Sequence, residues 1–114
     1  MTAPSRRPAA HRFAVLADGQ FHPLTSKTAN ACIRAFPDRI VAVLDRSQAG
    51  KTAQQVLGFG GAIPVVGAVD EALRRGATAL LIGIAPRGGR LPPEWRAWLA
   101  AAIERGLEIW SGLH

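Results

Sequence analysis

The chain has 114 residues, 48% hydrophobic and 19% charged, with a net charge of +6. That is enough for one domain with its own core, and it is not a disordered composition. One cysteine excludes an internal disulfide or a Cys-based zinc site, three histidines at remote spacings give no metal motif, and no apolar run nears the ~18 residues of a membrane span. Arg6, Arg7 and Arg12 supply half of the net charge, so the remainder is only mildly basic. Without aromatic–basic interleaving, a nucleic-acid partner is disfavoured, and a reducing cytoplasm is the expected compartment.

Residues 1–11 read as a flexible basic tail, since TAPSRRPAAHR lacks the apolar core of a secretory signal, and residues 12–114 read as one domain. RFAVLADG, from Arg12, is a first strand closed by an Asp-Gly turn. Thr25-Ser26 offers an N-cap for a helix from Lys27 to Phe36, with Ala29, Cys32, Ile33 and Phe36 on one face and Cys32 expected to be buried. Ile40 to Leu44 is a second buried strand. A short helix from Lys51 to Leu57 follows and stops at Gly58, Gly60 and Gly61. Ile63 to Val66 is a third strand, placed at an edge by Pro64. Asp70 caps or opens the next helix, which Gly76 ends. Thr78 to Ala85 is a fourth strand, an unbroken apolar run of the kind buried on both faces. Pro92 and Pro93 suit the first turn of the helix from Glu94 to Arg105. Its apolar stripe is Trp95, Trp98, Leu99, Ala102 and Ile103. Leu107 to Leu113 is a fifth strand.

This alternation predicts an α/β three-layer sandwich of Rossmann-like form, with a five-stranded parallel sheet in the order 3-2-1-4-5. The loops at the carboxyl ends of the strands then share one edge with several helix N-termini, a setting for a small anionic ligand such as a phosphate or carboxylate. Lys27, Arg46, Lys51, Arg87 and Arg90 fall on those loops, and the Arg87-Gly88-Gly89-Arg90 turn is the foremost candidate. Asp45 ends the second strand, where such folds hold a ribose hydroxyl; a capping or turn-forming aspartate is the alternative. Asp18 and Asp45 could also meet across neighbouring strands. His22 and His114 are the acid/base candidates.

Two tempting motifs fail. DRSQAGKT ends like a Walker loop, but Asp45 stands where the first glycine is required. The G-x-G-x-x-G fingerprint is absent after the first strand, which reads ADGQFHPL. No G-x-S-x-G elbow surrounds Ser111.

Together, the blocks LADGQFHPLTSKTANACIR, VAVLDRSQAGKTAQQVLGFGG with IPVV, LLIGIAPRGGRLPPEWR and GLEIWSGLH resemble the amino-terminal Rossmann-like domain of the DgcN-type proteins, a family that includes D-glutamate N-acetyltransferase. The resemblance runs from about Arg12 to His114 and implies acetyl transfer from acetyl-CoA to a D-amino acid. Members are normally about three times longer, with a second, P-loop domain after a connector, and this sequence stops before that connector. The resemblance therefore implies either a shortened chain or a stand-alone domain. Two readings follow. In the first, the chain is the nucleotide- or CoA-binding part of an acetyltransferase: Lys27, Lys51, Arg87, Gly88, Gly89 and Arg90 hold the anionic groups of acetyl-CoA or a nucleotide, Asp45 holds a hydroxyl, and His22 or His114 frees the substrate amine. In the second, it is a non-catalytic ligand-binding or assembly module that acts with another copy or with a partner P-loop domain.

Overall fold

Nine helices and strands alternate among the described residues. They are β1 (Phe13–Leu16), α1 (Lys27–Ala35), β2 (Ile40–Leu44), α2 (Ala53–Leu57), β3 (Val65–Val66), α3 (Val69–Arg74), β4 (Ala79–Ile82), α4 (Pro93–Glu104) and β5 (Glu108–Ser111), with 3-10 turns at Pro37–Arg39 and Arg46–Gln48. This computed structural model describes residues 11–84 and 92–111. The expected tail up to residue 10, the candidate turn residues Arg87, Gly88, Gly89 and Arg90, and His114 all lie outside the described residues.

The strands pair in parallel in the order β3-β2-β1-β4-β5. All four residues of β1 are buried, because β1 lies at the centre with helices on both faces. Helices α1 and α2 share one face: Ile33 of α1 and Ala53 of α2 both close on Gly60. Helices α3 and α4 touch each other on the opposite face. None of the helices among the described residues is long and apolar enough to cross a membrane.

Several local expectations are sharpened. The third strand is only two residues long. Its outer side is covered by the chain before α2: Gly50 N–H donates to the Val65 carbonyl (3.0 Å) and Val65 N–H to the Lys51 carbonyl (2.8 Å). That pairing blunts an otherwise open sheet edge. Helix α2 starts two residues later than expected, on a reciprocal capping box in which Thr52 Oγ1 accepts from Gln55 N–H while Gln55 Oε1 accepts from Thr52 N–H. Ser26 occupies the N-cap position of α1 but makes no capping bond, because its hydroxyl is drawn into the preceding loop. Cys32 is only partly buried, and burial still pushes its thiol up.

The stripe on α4 is narrower than its spacing predicts. Trp95 and Ala102 are buried, but Ile103 is 61% exposed. Eight residues on from Trp95, it stands about 80° round the helix and so falls off the packed face. At the other end, His11 is tied to the domain and does not extend the tail: its Nδ1 lies 3.0 Å from Thr78 Oγ1 and its Nε2 3.1 Å from Glu108 Oε1, with the ring edge-on to Trp110.

Candidate functional site

Two aspartates organise the carboxyl edge. Asp18 follows β1 and Asp45 follows β2, on neighbouring strands. They do not pair with each other. Each instead binds the loop that follows the other's strand. The Asp45 carboxylate is fully buried and accepts from Gly19 N–H (3.0 Å), Phe21 N–H (3.0 Å), Ser47 N–H (2.8 Å) and Ser47 Oγ (2.6 Å). Asp18 accepts from Arg46 N–H (2.9 Å) and, in a bidentate pair, from Arg46 Nε (3.3 Å) and Nη2 (2.6 Å). Burial by itself would raise the Asp18 carboxyl, but the Arg46 guanidinium and N–H outweigh it and hold the group below its usual range. The same contacts hold the Arg46 guanidinium more firmly charged.

The Asp45 carboxylate is enclosed and four donors of the chain converge on it, which is the geometry of the capping and turn-forming alternative.

The loop between β1 and α1 is stiffened again by a buried serine–asparagine pair. Ser26 Oγ accepts from His22 N–H (3.0 Å) and lies 2.9 Å from Asn30 Oδ1. Asn30 Nδ2 donates to the carbonyls of His22 (3.0 Å) and Pro23 (3.3 Å). The Phe21 side chain is 1% exposed and anchors the loop in the core. His22 itself is exposed, and its Nδ1 accepts from Leu24 N–H (3.1 Å). The neutral ring therefore carries its proton on Nε2, which makes it a donor toward solvent. A general base needs a free lone pair, and in this arrangement Nδ1 has none to offer.

The cations do not all converge. Lys27 opens α1 with an exposed side chain that has no hydrogen bond or ion pair among the described residues. Helix α1 meets the end of β4 here, with Ala29 N–H donating to the Gly83 carbonyl (2.8 Å). Lys51 is also exposed, but it sits in the segment that covers β3, and its Nζ donates to Gln48 Oε1 (2.9 Å). That puts it beyond β3, three strand spacings from β1 and about 14 Å across the sheet. Arg46 is held by Asp18 and lies over the Trp98 ring, 5.5 Å from its centroid. The described edge therefore combines His22 and Lys27 on one rigid loop-and-helix unit and Arg46 with Trp98 on the other side of the sheet. The sequence offered Asp18 and Arg46 only as separate turn and loop residues. Ser26 and Asn30, four apart on a helical face, were the one signal for the buried network.

A family model described as "Domain of unknown function (DUF1611_N) Rossmann-like domain" matches residues 46–114. A curated D-glutamate N-acetyltransferase from Tritonibacter scottomollicae is 46% identical over 46 residues, which are 40% of this chain and 14% of that protein. The crystal structure of a DUF1611 family protein from Anabaena variabilis is similar at a TM-score of 0.81 and 35% identity, over 91% of this chain and 30% of that one. The chain thus spans less than a third of the length of either relative.

Proposed function

The chain belongs to the DUF1611_N Rossmann-like domain family, and from that premise we propose that it is the ligand-binding domain of a D-glutamate N-acetyltransferase-like protein, holding acetyl-CoA or a nucleotide at the carboxyl edge of its sheet. The observation that carries this reading is the loop between β1 and α1, fixed by buried Asp45, which presents the His22 ring and the Lys27 ammonium, unpaired among the described residues, where α1 begins. Two such donors on one edge suit a phosphate, whose oxygens accept from both. Arg87 and Arg90, which follow β4 in the sequence, would add charge to the same edge.

Acetyl-CoA would bring an activated thioester. In the transfer, the substrate amine nitrogen would form a bond to the thioester carbonyl carbon, the carbon–sulfur bond would break, and the proton lost by the amine would pass to the departing sulfur, which leaves as the thiol. In this chain, Lys27 would bind phosphate and His22 would donate from Nε2. For His22 to act as the base expected from sequence, Leu24 N–H must first release Nδ1.

Calorimetric titration of the 114-residue chain with CoA, acetyl-CoA, ATP and NAD tests the reading. One of them is expected to bind, and Lys27→Ala, or Arg87→Ala with Arg90→Ala, to weaken it about tenfold, the equivalent of ~1.4 kcal/mol. No heat from any of the four at about 100 μM protein would refute it.

A second reading is a ligand-binding or assembly module that performs no transfer by itself and acts with another copy or a partner P-loop domain. D-glutamate acetylation by the 114-residue chain alone would overturn that reading.

A further inference from the structure

Between α3 and α4, on the sheet face opposite α1, runs a groove of about 280 Å³. Gly67, Ala68, Asp70, Trp98, Ala101 and Arg105 line it. Its volume is near the bottom of the range for small-molecule sites, about 300 Å³, so it suits one ring system and not a whole dinucleotide. Gly67, Ala68 and Ala101 take up little of its width, and the half-buried Trp98 indole gives it an aromatic wall.

Its polar equipment is specific. Asp70 Oδ1 pairs with Arg105 Nη1 at the exposed rim of the groove, while Oδ2 has no partner among the described residues. An ionised carboxylate only accepts, so it favours a ring edge that carries an N–H donor. Gly67 and Ala68 directly follow β3, which makes the groove continuous with the carboxyl edge. Arg46 links the two: it follows β2, stacks over Trp98 and is absent from the groove lining, and its Nη1 is unpartnered among the described residues.

We propose that this groove seats the adenine ring of the ligand, stacked on Trp98 with its exocyclic amine donated to Asp70. The inference rests on the nucleotide- or CoA-binding reading above and assigns that ligand's base to a place. Base–aromatic stacking contributes because any π-face can use the indole, and the Asp70 contact supplies the preference for an amino-bearing base. The ligand would therefore run from His22 and Lys27 across the edge, past Arg46, to Trp98.

The test compares CoA, AMP and IMP on the wild-type chain by calorimetry, with Trp98→Ala and Asp70→Asn as variants and circular dichroism to confirm folding. AMP is expected to bind at least fivefold more tightly than IMP, which lacks the exocyclic amine. Trp98→Ala is expected to weaken CoA at least fivefold, and Asp70→Asn to narrow the AMP-to-IMP ratio. Equal binding of AMP and IMP, or unchanged CoA binding in folded Trp98→Ala, would overturn the adenine assignment and leave the edge-binding proposal standing. The wild-type comparison decides the matter even if a variant fails to fold. Failure of the wild-type chain to bind CoA and both mononucleotides would overturn this inference; the parent reading falls only if acetyl-CoA, ATP and NAD also give no heat.

Discussion

Replacing Asp45 by asparagine removes one oxygen and one charge from a fully enclosed site while keeping its shape. Oδ1 serves Gly19 and both donors of Ser47, so the remaining amide oxygen is best used there. The new NH2 group then faces Phe21 N–H, 3.0 Å away in the wild type, and donor opposes donor. One charge-assisted bond is lost, at about 1.5–3 kcal/mol, and a buried N–H is left unsatisfied, at about 1–3 kcal/mol. Some relaxation of the loop offsets part of this, and Asp45→Asn is expected to cost about 3 kcal/mol. Urea unfolding followed by far-ultraviolet circular dichroism would show it: with a slope of about 1–3 kcal/mol per M, the midpoint falls by about 1–3 M with the slope unchanged. Ser47→Ala is the comparator. It removes one hydroxyl donor, keeps the backbone bond, and is expected to cost about 1 kcal/mol. If Asp45→Asn stays within about 0.5 kcal/mol of wild type, the claim that Asp45 locks the two loops is wrong.

Asp18 predicts an acid-side signature. Its folded carboxyl titrates below the ordinary value of 3.8, so its contribution is complete above that value and is lost as pH falls through the folded one. In that window the unfolded chain binds more protons, and stability rises with pH; Asp18→Asn should flatten the rise, and parallel profiles of urea midpoint against pH would refute the pairing. Two glycines predict steric costs. A Cβ on Gly83 would stand 2.6 Å from Val15 Cγ1 and 2.8 Å from Ala29 Cβ, so Gly83→Ala should cost about 1–3 kcal/mol by forcing α1 away from the sheet. At Gly60 the same change meets Ala53 and Ile33 at 2.8 and 2.9 Å and also a positive φ of 100°, so Gly60→Ala should be the worse of the two by thermal denaturation, and equal midpoints would contradict this.

Much of the fold follows from local pattern. Unbroken apolar runs at Ile40–Leu44 and Ala79–Ile82 signal strands buried on both faces, and short connections with right-handed crossovers leave few sheet orders, of which β3-β2-β1-β4-β5 is the one adopted. The edge position of β3 was legible too, because Pro64 cannot donate to a ladder. The site was less so, because its contacts are long-range. Asp45 meets Gly19 and Phe21 across separations of 26 and 24 residues, and Asp18 meets Arg46 across 28. A sequence places each aspartate at a strand end. Only the lateral pairing of β1 with β2, in register, brings each carboxylate to the other's loop and turns two turn-forming residues into one buried lock. Lys51 shows the converse: residue type and spacing placed it with the site cations, and the chain's return along β3 carried it to the flank. Gly83 carries no local sign of its role, since its need for a bare Cα arises from Val15 and Ala29, on a strand and a helix distant in sequence. Periodicity and chain connectivity determine the layers, being local or topological; which polar atoms face one another is decided by packing across strands, and that is a property of the tertiary structure alone.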